Sequence, residues 1–137
     1  MDAASANAIY LLTLLSVSVV LLLVQIGLQG MFATKELGSA WNAGPRDQGK
    51  QPEGLLAGRA ERASKNFQET YPAFVGLLLA MILTGDASGW GLVGGTIWLL
   101  ARIGYIPLYL AGIPYVRSVV WLISVFGLLV MMIGLFL

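Results

Sequence analysis

Four long apolar runs constrain this chain more than anything else in it. They extend from about Ala6 to Phe32, about Arg59 to Leu83, about Gly89 to Ala111 and about Pro114 to Leu137. Each holds roughly 20 residues or more, the length an α-helix needs to cross a hydrocarbon core of about 30 Å. None shows the two-residue alternation of a strand, and in lipid a helix satisfies its own backbone polar groups. The fold class expected is all-α: a four-transmembrane-helix bundle forming one membrane domain, 1–137, with no room for an added soluble domain. Composition agrees, because 58% of the 137 residues are hydrophobic and only 11% are charged, against about 25% charged in soluble domains. Asp2 stands where a signal peptide would be basic, and the first apolar run is too long for such a peptide, so it reads as an uncleaved span.

The connections set the topology. Thr84 to Ser88 and Gly112 to Pro114 are short turns, which make the helices they join antiparallel neighbours. The connection from about Thr34 to Gly58 is long, rich in Gly, Pro and charge, and reads as a surface loop. Lys35, Arg46, Lys50, Arg59, Arg62 and Lys65 lie in or beside it, Arg117 opens the fourth span on the same side, and Arg102 lies in the nearer half of the third. The opposite side carries only Asp2 and Asp86. By the positive-inside rule the long loop is expected in the cytoplasm and both termini outside it.

The second span opens with Arg59, Arg62, Asn66 and Glu69 at offsets 0, 3, 7 and 10, a spacing that places them along one helix face. The third carries Arg102, Tyr105 and Tyr109 at offsets 0, 3 and 7, and the fourth opens with Tyr115, Arg117 and Ser118. Ionisable groups in a membrane segment are costly and point to function. There is no Cys and no His, so thiolate metal sites, a protein thiol nucleophile and an imidazole base are all excluded. What remains suits an anionic, peptide-like ligand that brings its own thiol. Arginines clamp carboxylates, Asn66 pairs with an amide, Glu69 accepts from an ammonium, and the tyrosines donate hydrogen bonds and form a flat wall. A guanidinium beside such a thiol favours the thiolate. Glutathione fits this description, although residue types alone do not single it out.

Other residues have plainer readings. Lys65 reads as an anchor to lipid phosphate, and Arg59 is open between anchor and ligand contact. Arg62 with Glu69, and Arg102, also allow structural ion pairing between helices. Trp90, Trp98 and Trp121 read as belt or packing residues, Gln25 and Gln29 as hydrogen-bonding partners for a neighbouring helix, and Gly94-Gly95 with Gly127 as points of close helix packing.

The pattern Glu61-Arg62-Ala63-x-x-Asn66-x-x-Glu69-x-x-Pro72 resembles the signature of the membrane-associated proteins in eicosanoid and glutathione metabolism, the MAPEG family. Ala101-Arg102-x-x-Tyr105-x-x-x-Tyr109 is similar to that family's third-helix motif, and Arg117-Ser118-Val119 to the start of its fourth helix. The resemblance spans nearly the whole chain and is to bacterial members above all, which implies an inner-membrane location. It implies a left-handed bundle assembled as a homotrimer, with glutathione bound between subunits as co-substrate. Carried over by position, Arg62, Asn66, Glu69, Arg102, Tyr105 and Tyr109 bind glutathione, while Arg117 and Ser118 act in catalysis, Arg117 by activating the thiol. No metal is implied. Three positions depart from the pattern of particular branches: Lys65 replaces Arg, Thr70 replaces Tyr, and Tyr105 replaces the His of the prostaglandin branch, which argues against a dedicated prostaglandin isomerase. Pro107, between the two tyrosines, is expected to kink the third span.

The resulting expectation is a membrane glutathione transferase, with glutathione peroxidase activity as a second use of the same thiolate. Its partners are apolar electrophiles or lipid hydroperoxides arriving from the bilayer, membrane lipids, and further copies of the chain; nucleic acid is not among them. A non-catalytic lipid-binding scaffold or accessory subunit is the competing class. A small transporter fits less well, because the charges gather at one boundary and not at the midplane.

Overall fold

The computed structural model describes all residues, Met1–Leu137. It is all-helical, with five helices in chain order: α1 (Ala3–Leu37), α2 (Ser39–Ala43), α3 (Leu55–Thr84), α4 (Trp90–Leu110) and α5 (Val116–Gly134). Four of them, α1, α3, α4 and α5, are long and apolar enough to cross a membrane. The first extends at both ends beyond its apolar run, and α3 begins at Leu55, one turn ahead of Arg59. The five-residue α2 lies within the long connection.

Helix ends follow local chemistry. Asp2 caps α1 by accepting from the Ser5 backbone N–H at 2.8 Å. Gly85, with φ of 86°, closes α3 in the left-handed conformation that glycine tolerates. At the end of α4, Ile113 N–H donates to the Leu108 carbonyl at 3.1 Å and Gly112 N–H to that of Tyr109 at 3.0 Å. This is a Schellman closure, with Gly112 at φ of 71°. Pro107 does not interrupt α4, which continues through it to Leu110.

The core lies between α1, α3 and α4 and is strongly aromatic. Phe74 stacks on Trp98 with centroids 3.8 Å apart, and Phe67 and Tyr71 extend the cluster. Inside it the Ser18 hydroxyl donates to the Leu15 carbonyl at 2.6 Å, so at 2.9 Å it accepts from the Tyr71 hydroxyl. The pair locks the middle of α1 to α3. The fourth spanning helix docks on α4 through glycine. A Cβ on Gly94 would lie 2.5 Å from the Gly127 carbonyl, and one on Gly127 would lie 2.7 Å from the Gly94 carbonyl. Only backbones without side chains approach this closely, which bears out the packing role read for these glycines. Large apolar side chains on the outer faces, such as Val20, Leu23, Leu100, Val119, Leu122 and Phe126, are exposed, as expected of surfaces that meet lipid or another subunit.

Candidate functional site

At the long-loop end the polar side chains of three helices meet. Arg102 on α4 is 1% exposed, an unusual position for a guanidinium. Its Nη1 donates to Asn66 Oδ1 on α3 at 2.9 Å. Its charge lies over the Tyr105 ring at 4.5 Å and faces Phe67 at 5.5 Å, contacts worth about 0.5–2 kcal/mol each. Glu69 is within coulombic range of it. Nε and Nη2 of Arg102 have no partner. From Arg102 the site continues as a ladder: Tyr105 and Tyr109 have centroids 5.5 Å apart, and Arg117 of α5 lies over Tyr109 at 4.6 Å. Asn66, Arg102, Tyr105, Tyr109 and Arg117 thus form one connected row through α3, α4 and α5.

The stripe on α3 divides in three dimensions. Asn66 faces α4 and belongs to the row. Arg59 also faces α4 but serves a different purpose. Its Nη1 donates to the Leu110 carbonyl at 3.1 Å, and its guanidinium packs where a Cβ of Gly112 would otherwise project. Arg59 therefore closes the C-terminal end of α4, where a cation also complements the helix dipole. Arg62 and Glu69 are turned by about 50° and 70° from that line around the helix and are exposed. Neither forms an ion pair, and the one ion pair in the molecule joins Lys65 to Glu61 at 3.0 Å. Arg62 folds back beside Gly58, with Nη1 3.1 Å from where a Cβ there would be. Ser118 is exposed and lies outside the row. Tyr115 is exposed, with φ of 57° in the turn before α5.

Two placements differ from sequence expectation. Gln25 is 2% exposed, yet neither its amide nitrogen nor its oxygen reaches a partner on a neighbouring helix. Arg59 is occupied by structure and not by a prospective ligand. The signal for Arg59 is present in the sequence, in Gly112 followed by Pro114 as a helix stop, but which cation answers that stop depends on how α3 lies against α4.

All the residues of this row lie within the part of the chain that one family model matches. That model, the MAPEG family, matches residues 11–137. The chain belongs to the MAPEG family. Searches of curated proteins and of solved structures find no match to it. Membership places this MAPEG protein in a membrane role related to glutathione or eicosanoid metabolism, in a family that holds both enzymes and non-catalytic members.

Proposed function

We propose that this MAPEG protein is a membrane glutathione transferase that conjugates the glutathione thiolate to apolar electrophiles from the bilayer. The observation that carries this reading is the row from Arg102 to Arg117. It holds a buried guanidinium with two nitrogens unpartnered and ends at the partly exposed guanidinium of Arg117, stacked on Tyr109 and free of any ion pair. A buried charge left partly unsatisfied is costly, and an anionic ligand removes that cost.

In this reading Arg102 and Asn66 hold the polar body of glutathione, Tyr105 and Tyr109 form its wall, and the exposed Arg62 and Glu69 meet its outer carboxylate and ammonium. Those two side chains lack ion-pair partners within one chain, which fits a pocket completed by a second copy in a homotrimer. Arg117 stabilises the sulfur as thiolate, and the thiol proton leaves to solvent. The thiolate then forms a C–S bond as the leaving group departs with its electron pair. Ser118, outside the row, assists only if glutathione or a neighbouring copy reaches it. Reduction of a lipid hydroperoxide by the same thiolate is the second activity of the site.

Lowering a thiol pKa by about two units corresponds to about 2.7 kcal/mol. Transfer to an aryl halide should therefore rise with pH through about 6.5 in the wild type and through about 8.5 in Arg117→Ala. At neutral pH the variant should lose roughly 25-fold in kcat/KM, the ratio of the two thiolate fractions, while still binding glutathione. An absorbance titration of the bound thiolate, set beside turnover, tests this. Binding without thiolate or turnover in the wild type would instead favour a lipid-binding scaffold.

A further inference from the structure

The connection between α1 and α3 forms an open cavity of about 450 Å³, lined by residues between Leu37 and Lys50. It contains none of the residues of the row described above. Local bonds give it its shape. Glu36 accepts from the backbone N–H groups of Glu53 and Gly54 at 2.6 Å and 2.9 Å, which fastens the end of the loop to the end of α1. Arg46, at φ of 59°, turns the chain back. Its Nη2 donates to the Asn42 side chain at 2.7 Å, and its guanidinium lies over Trp41 at 4.4 Å.

The groups facing this cavity are chemically specific. Arg46 is held in place with its other donors free. Lys50 and Asp47 have no partner of opposite charge, because Lys65 with Glu61 is the only ion pair. The ring of Trp41 lines the cavity beneath the Arg46 guanidinium. Two cations and one carboxylate fit a phosphate joined to an ammonium. The location fits too: Leu37 lies at the end of a membrane-spanning helix, and Leu55 and Leu56, exposed at 66% and 46%, flank the opening of the next.

We infer that the loop cavity binds one phospholipid headgroup of the phosphoethanolamine type, with its phosphate at Arg46 and Lys50 and its ammonium at Asp47. The inference does not depend on the glutathione reading. Basic residues near a lipid phosphate attract it, so losing two should weaken binding by roughly tenfold or more.

The test is native mass spectrometry of the full chain in detergent, titrated with phosphatidylethanolamine. The wild type should retain one tightly bound lipid per chain, and Arg46→Gln combined with Lys50→Gln should weaken it by roughly tenfold or more. Lys50→Gln alone, which disturbs no bond within the protein, should weaken it in the same direction. Asp47→Asn should weaken phosphatidylethanolamine and spare phosphatidylglycerol. Equal lipid affinity in the wild type and both Lys50 variants would overturn the assignment. So would displacement of the lipid by millimolar inorganic phosphate, which would make the cavity a site for a free anion.

Discussion

The two ends of the bundle each bury one charged side chain, and they treat it in opposite ways. At the turn between α3 and α4, Asp86 is 4% exposed and fully engaged. Its two oxygens accept from the backbone N–H groups of Gly91 at 2.9 Å and Leu92 at 3.1 Å, and the Asn7 amide reaches its backbone carbonyl at 3.0 Å. At the other end Arg102 is still more deeply buried, with one hydrogen bond and two nitrogens left without a partner. Asp86 is a finished piece of structure that caps α4 and ties down α1. Arg102 is a charge the fold positions but does not satisfy. Burial alone therefore does not separate a charge the fold satisfies from one it leaves open; the count of unpaired donors does.

That contrast can be broken in four ways, in descending order of effect. Asp86→Ala strands two N–H groups at the start of α4 and should destabilise the protein by about 3 kcal/mol or more, read as a lower unfolding midpoint in detergent. Its glutathione affinity, measured on the folded fraction, should be unchanged. Arg102→Met should do the reverse. Glutathione affinity should fall roughly 100-fold, the loss of charge-assisted hydrogen bonds worth about 1.5–3 kcal/mol each, with a smaller change in stability than Asp86→Ala. If Arg102→Met unfolds the protein while Asp86→Ala does not, the assignment of the two ends is inverted.

Arg59→Ala should cost about 1–2 kcal/mol by releasing the Leu110 carbonyl. Because Arg59 and Gly112 together fix where α5 begins, it should also lower kcat more than it weakens glutathione binding, with partial recovery in Arg59→Lys. The smallest effect belongs to Asp2, an exposed cap whose carboxyl is held below the usual carboxylate range by its hydrogen bonds with Ser5. A lowered folded pKa means the cap is fully present at neutral pH and is lost as pH falls through that lowered value. Asp2→Ala should speed amide exchange in the first turn of α1 at neutral pH and leave the unfolding midpoint nearly unchanged.

Much of this was legible from residue order. The long apolar runs specified helices, because lipid admits no open backbone, and the offsets of Arg102, Tyr105 and Tyr109 placed all three on one face of α4. The glycines at 94 and 127 marked the helix contact. The α3 stripe was legible only in part. Offsets of 3, 7 and 10 residues all lie on one broad face, yet Asn66 is about 40° from Arg62 and about 60° from Glu69 around the helix, and that turn separates Asn66 inside from Arg62 and Glu69 outside. Gln25 misled for a related reason: a polar residue on a buried face raises the expectation of a partner, and whether one arrives depends on what the next helix presents, here only apolar and small side chains around a narrow cavity.

The sequence by itself determined that this chain is a membrane-spanning helical protein of the MAPEG family and which residue types stand at its charged end, because hydropathy and spacing are properties of the chain alone. Only the tertiary structure decided which charges are occupied and which are free. Arg59 is taken up by the end of α4 and Asp86 by its start, while Arg102 keeps donors unpaired and Arg117 has no carboxylate partner. Pairing of that kind depends on the angle and height at which separate helices meet, and no local pattern along a single helix contains that information.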